Sequence, residues 1–168
     1  MTALQTLLGF AAWTLLLIAG VFLYRGMRFL TGTPINHWPR GNKPADDAPF
    51  VKRLEDAHAN CLENLPVFAV IVLVAAALGR LADIQALAPW VLYARIGQSL
   101  AHLSGTGPVN VFVRASFWSA QLALFGWMLV KLLAWIGQAY QIAPLGTHNV
   151  AVKDAAPVKR ANIVTHAE

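Results

Sequence analysis

The chain of 168 residues is 57% hydrophobic and 12% charged, with a formal net charge of +5, where a soluble domain carries about 25% charged residues. With a mean hydropathy of +0.53, this excludes a disordered chain. It also excludes a solvated nucleic-acid binder, despite a pI of about 9.8. What remains as the default is an integral membrane protein, and its apolar runs of helical length make the expected fold all-α.

Residues 1–24 hold no charge and are long enough to cross a hydrocarbon core, which takes roughly 20 apolar residues in a helix. A cleaved signal peptide would carry a basic start and a shorter apolar core. Neither is present, so this segment reads as a retained first span. Pro34, Pro39, Pro44 and Pro49, with Gly32 and Gly41, exclude a continuous helix over residues 31–52. A second span is predicted over residues 57–79, where Val67 to Leu78 is apolar all round. Pro66 inside it predicts a kink one turn above Glu63. Residues 80–83 read as a tight hairpin. A third span follows over residues 84–104, interrupted by Arg95 and His102. Residues 105–108 break that helix, and a fourth span is predicted over residues 115–136. Its Lys131 is expected to snorkel to an interface beside Trp135. Residues 1–140 thus form a four-helix transmembrane domain. Residues 141–168, polar and holding Pro144 and Pro157, are expected to be a mobile tail.

Lysine and arginine set the orientation. The first loop holds Arg25, Arg28, Arg40, Lys43, Lys52 and Arg53, the hairpin only Arg80, and the third loop ends at Arg114. The positive-inside rule puts the first and third loops in the cytoplasm and both termini on the opposite side. Lys153, Lys159 and Arg160 in the tail pull weakly the other way. Most of the net positive charge is then a topology signal and an attraction to anionic lipid. Cys61 is the single cysteine, which excludes an intrachain disulfide and a cysteine-rich metal site. No glycine-rich phosphate loop, zinc-protease motif or serine elbow occurs. His37, His148 and His166 lack ligand-like spacing, so no metal site is expected.

Two polar stripes interrupt the apolar helices. Arg53, Asp56, Asn60 and Glu63 follow spacings of three and four and share one face of helix two, flanked by His58 and Asn64. Arg95, Gln98, Ser99 and His102 repeat the pattern on helix three. A charged side chain in lipid costs about 2.5–3.5 kcal/mol on insertion scales. Glu63 and Arg95 are therefore expected to face the bundle interior or a water-filled cleft, paired with each other. A lone buried amide is more often glue between helices, worth about 0.6 kcal/mol. Two aligned stripes with ionisable members point to function instead. Arg114, at the expected start of helix four, reads as an orientation anchor unless a second feature recruits it.

These residues resemble the MAPEG family, membrane-associated proteins in eicosanoid and glutathione metabolism. The resemblance rests on the Asn-x-x-Glu-Asn-x-Pro core of Asn60, Glu63, Asn64 and Pro66, preceded by Arg53 and Ala57-His58. Arg95, Gln98 and His102 make a second, weaker match and Arg114 a third. The family implies a four-helix bundle assembled as a homotrimer, with sites between subunits near the cytoplasmic face. It also implies glutathione as co-substrate and a lipophilic small molecule as second substrate. By position, Asn60 and Glu63 would hold the peptide backbone and amino group of glutathione. Arg53 and Asn64 would add polar contacts, and Arg95 would meet a carboxylate. Gln98 and His102 stand where glutathione-binding members have aromatic or histidine residues, and Arg114 matches the arginine that stabilises the thiolate. Asp56 stands where members often carry arginine, and the tyrosines common on helix three are absent. The expectation is a membrane-embedded glutathione-dependent transferase or peroxidase acting on lipophilic electrophiles. The alternative is a non-catalytic protein of the same build that binds a lipid or partner. A pore or transporter subunit finds no inverted repeat or paired broken helices to support it.

Overall fold

The computed structural model describes residues 1–39 and 43–142. Arg40 of the basic loop and the expected tail from residue 143 onward, with Lys153, Lys159 and Arg160, lie outside the described residues. Every regular element among the described residues is helical: α1 (Ala3–Leu30), a 3-10 turn (Ile35–His37), α2 (Pro49–Ala77), α3 (Leu81–Ile84), α4 (Ala88–Ser104) and α5 (Pro108–Ile142). The chain divides into one unit over Met1–Leu133 and a second from Ala134. The described part of the second is the final turns of α5.

Thr2 starts α1 with a reciprocal cap. Its hydroxyl accepts from the Gln5 amide at 3.1 Å, and its own amide donates to Gln5 Oε1 at 2.8 Å, so two otherwise orphaned donors are satisfied. One line of α1, Thr6, Phe10, Thr14, Leu17 and Val21, is buried. The hydroxyls of Thr6 and Thr14 bond carbonyls one turn back, at 2.9 Å each, so the line is inward-facing without unpaired hydroxyls. Leu8, Leu15, Phe22 and Leu23 on the opposite side are exposed, as suits a helix whose solvent is lipid. Gly20 permits α1 and α2 to approach, since a Cβ there would stand 2.7 Å from Leu54 Cδ2.

Helix α2 is assigned without a break through Pro66, so the expected kink does not interrupt it. It buries Leu54, Ala57, Cys61, Phe68, Ile71, Val72 and Ala75. Phe68 stands between Phe10 and Phe125, with ring centroids 6.1 and 6.0 Å apart. That aromatic ladder ties α1, α2 and α5 together. Helix α5 reaches the others chiefly through the side chains of Gln121, Phe125, Met128 and Leu132, a buried line at helical spacing. Gly97 of α4 accepts the Phe117 ring of α5 where a Cβ would come within 2.6 Å of it.

Three helices are long and apolar enough to cross a membrane: Ala3–Leu30, Pro49–Ala77 and the Pro108–Ala139 part of α5. Helix α4, the third predicted span, is not among them. Its 17 residues reach roughly 25 Å at 1.5 Å per residue, against a hydrocarbon core of about 30 Å. The element edges also differ from the expected ones. Helix α1 extends to Leu30 and carries Arg25 and Arg28 in its last turns, α2 opens at Pro49, and α5 opens at Pro108. The expected hairpin at residues 80–83 is mostly the short helix α3, entered through Gly79 at φ 67°. Proline marks the starts of α2, α4 and α5, earlier than expected for α2 and α5 and later for α4. Pro49, Pro89 and Pro108 sit at the first or second helical position, where the missing N–H has no intrahelical partner to lose. Lys131 has its ammonium 5.7 Å from the Trp127 ring centroid, one turn back.

Candidate functional site

The polar stripe of α4 points inward as expected. Arg95, Gln98, Ser99 and His102 are all buried. Arg95 is wholly enclosed, with one guanidinium nitrogen donating to Gln121 Oε1 at 2.6 Å and its carbon 5.5 Å from the Phe10 ring centroid. Gln121 in turn donates to the Val91 carbonyl at 3.0 Å. Ser99 donates to the Arg95 carbonyl at 2.9 Å and accepts from the Trp13 indole at 3.1 Å. Arg95 Nε and Nη1, Gln98 Oε1 and His102 Nδ1 are buried with no hydrogen-bond partner among the described residues. Leaving a buried donor or acceptor unpaired costs about 1–3 kcal/mol, so this seam is under-satisfied.

The stripe of α2 comes out differently. The inward line of α2 is Leu54, Ala57, Cys61, Asn64 and Phe68. Arg53, Asp56 and Asn60 lie half-buried at its edge, and Glu63 is exposed. The expected Glu63–Arg95 pair does not form: Arg95 binds Gln121 instead, and Glu63 makes no ion pair or hydrogen bond among the described residues. Helical spacing puts residues on a common face but does not say which way that face turns. Here the more apolar line took the interior. Arg53 bridges helices, donating from Nε to the Leu103 carbonyl at 3.0 Å. Asp56 pairs with Lys43, and His102 Nε2 stands 3.8 Å from its second carboxylate oxygen.

Where the two stripes meet α5 there is a groove of about 280 Å³ lined by Asn60, Gln98, Val111, Arg114, Ala115 and Trp118. It brings together one predicted residue from each of three helices. Arg114 lies inside α5, in the second turn after Pro108, rather than at a helix start. It has no hydrogen bond or ion pair among the described residues. A guanidinium this near a helix N-terminus gains nothing from the helix dipole. Its charge is therefore available to a ligand in the groove. Trp118 supplies an apolar wall.

An apolar groove of about 620 Å³ runs between α4 and α5, lined by residues including Trp90, Tyr93, Phe117, Ala120 and Trp127. At the first loop, Arg25 pairs with Glu55 and lies 5.7 Å over the Trp38 ring, whose indole donates to Asp47 at 3.0 Å. Arg28 and His37 both hold Asp46, at 2.7 and 3.0 Å. The Arg28 guanidinium keeps the Asp46 carboxyl below the usual carboxylate range. Much of the loop's positive charge is thus locally matched. Among the described residues no cluster of three or more metal-ligating side chains occurs.

Four residues of this region were not singled out from sequence. Gln121 carried a usable signal, as an amide inside an otherwise apolar segment. Trp13 and Lys43 carried none, because their partners lie far away in sequence, and Trp118 is one of several tryptophans that nothing in the sequence sets apart.

Together, membrane-length helices and a polar groove between them define an integral membrane protein with a site among its helices. The MAPEG family model matches residues 3–134, and the chain belongs to the MAPEG family. No curated protein and no solved structure matches it.

Proposed function

We propose that the protein is a membrane-embedded, glutathione-dependent transferase or peroxidase acting on lipophilic electrophiles. The observation that carries this reading is the convergence of Asn60, Gln98 and an unpaired Arg114 on one groove. Two amides and a guanidinium suit a peptide that bears carboxylates and a thiol. The orphaned oxygen of Gln98 offers an acceptor for a peptide N–H. The groove's volume sits just below the ~300–1,000 Å³ common for small-molecule sites, as befits one incomplete wall of a shared site.

The chemistry follows from charge. A thiolate is the nucleophile, and a free thiol has a pKa of about 8.5. A guanidinium beside the sulfur favours the charged form, so Arg114 is the proposed catalytic residue. In the transfer reaction the thiol proton leaves to water, the sulfur bonds the electrophilic carbon, and the leaving group departs with its electron pair. Asn60 and Gln98 orient the peptide. Arg53 and Asn64 add polar contacts from the same helix as Asn60, and Arg95 and His102 share the buried stripe of α4 with Gln98.

Glu63 supports an assembled form. A carboxylate left on the lipid-facing side of a span is costly, whereas a second copy covering it would let it meet the ligand's ammonium. The proposed assembly is a homotrimer of four-helix protomers over residues 1–140, with α4 as the shortest of the four spans. The first and third loops lie in the cytoplasm and both termini on the opposite side, following the basic residues of the first loop.

A conjugation assay tests the reading. Detergent-purified protein is expected to consume glutathione with a reactive aryl halide, and Glu63→Ala is expected to abolish this. An intact assembly with no turnover above background would leave the second reading, a non-catalytic protein that binds a lipid or partner. The large apolar groove between α4 and α5 favours that second reading.

A further inference from the structure

Asp56 and Glu63 are the two stripe residues whose charge opposes an anionic ligand, and the surroundings of Asp56 explain why it is tolerated. Asp56 lies one turn before Asn60 on α2, and His102 one turn after Gln98 on α4. The two helices run in opposite directions here, since Arg53 meets Leu103, Asp56 meets His102 and Asn60 shares the groove with Gln98. The Asp56–His102 contact therefore marks the end of the groove nearest the first loop. From that loop Lys43 reaches in, pairing with the Asp56 carboxylate and donating to the Lys52 carbonyl at 3.3 Å. An ammonium has three donors, so one remains free. Both side chains stay accessible, at 39% and 47% exposure. His102 feels the charges of Lys43, Arg53 and Arg114 against the one carboxylate of Asp56, so positive charge is in excess near this mouth.

We propose that Lys43 is a specificity-determining residue of the groove, its ammonium held at the loop-side mouth by Asp56 to receive a lone carboxylate of the bound peptide thiol. Resting on the glutathione reading above, this assigns the glycyl carboxylate to Lys43. That end of the tripeptide carries an anion with no ammonium beside it, matching a mouth with excess positive charge. The γ-glutamyl end is zwitterionic and calls for an acid such as Glu63. Asp56 is then a positioning residue that acts through Lys43. The loop supplies from outside the helices the cation that the stripe itself lacks at position 56.

The test is calorimetric titration of the full chain in detergent with two probes, glutathione and its glycyl monoethyl ester, which lacks that carboxylate. The wild type is expected to bind glutathione about tenfold more tightly than the ester, the scale of one charge-assisted bond. Lys43→Ala is expected to lose that preference while binding the ester as the wild type does, and Lys43→Arg to keep most of it. Asp56→Asn is expected to lower the preference too, because it frees Lys43 from its place. If Asp56 merely competed with the ligand, the same change would raise it. Unchanged discrimination in Lys43→Ala, or an equal loss for both probes, would overturn the assignment while leaving the glutathione reading in place. Wild-type protein that binds neither probe would overturn both.

Discussion

Arg95 and Arg114 stand on facing helices and differ in every physical respect that matters. Arg95 is enclosed, bonded to Gln121 and stacked near Phe10, within a seam that also holds Ser99 and Trp13. Arg114 is half-buried, unpaired, and opens on a groove with Asn60 and Gln98. A guanidinium locked into helix packing resists replacement because its partners are left behind. One held free at a groove can be removed with little effect on the fold. Residue type alone would have ranked the two alike. Burial and partner count separate the residue that holds the helices from the residue proposed to meet the ligand.

That contrast can be broken at several points. The largest effect on stability is expected at the enclosed arginine. Gln121→Leu removes the hydrogen-bonded partner of a buried charge and should destabilise the protein by about 3 kcal/mol or more, read as a fall in the detergent unfolding midpoint. A midpoint like the wild type would mean that Arg95 is satisfied elsewhere. Gly97→Ala comes next. Its Cβ would press on the Phe117 ring and should cost about 1–3 kcal/mol by overpacking, with unfolding again the readout. Asn60→Ala, on the groove side, should leave unfolding unchanged and weaken glutathione binding about fivefold, the worth of one neutral hydrogen bond.

The smallest effect concerns pH. Arg28 holds Asp46 below the usual carboxylate range, so that pair's contribution is present above the ordinary carboxylate pKa. It is lost as pH falls through the depressed folded value. Protease nicking of the first loop should therefore rise only in that acidic window, and Asp46→Asn should flatten the profile.

Much of this arrangement was legible beforehand, for definite reasons. Uncharged runs marked α1, α2 and α5, and spacing gathered Arg95, Gln98, Ser99 and His102 on one face. The edges were misread because proline was taken only as a helix breaker. At Pro49, Pro89 and Pro108 it opens a helix, which moved Arg114 from a helix start into the second turn. The direction of the α2 stripe was not legible at all. It depends on whether Cys61 and Phe68 or Glu63 and Val67 turn inward, which the packing of Phe10 and Phe125 decides. The partners Gln121 and Lys43 were missed because each meets its target across the fold, 26 and 13 residues away in sequence.

The central claim is that Arg114 acts on a thiolate in a groove that the fold maintains without it. The most direct measurement is the glutathione–aryl halide turnover of Arg114→Ala beside the wild type, in the same detergent and with unfolding midpoints recorded for both. The account predicts a kcat about 100-fold lower, the usual scale for removing one charge-stabilising donor, with an unchanged midpoint and glutathione still bound. Turnover equal to the wild type in a folded Arg114→Ala protein would contradict it.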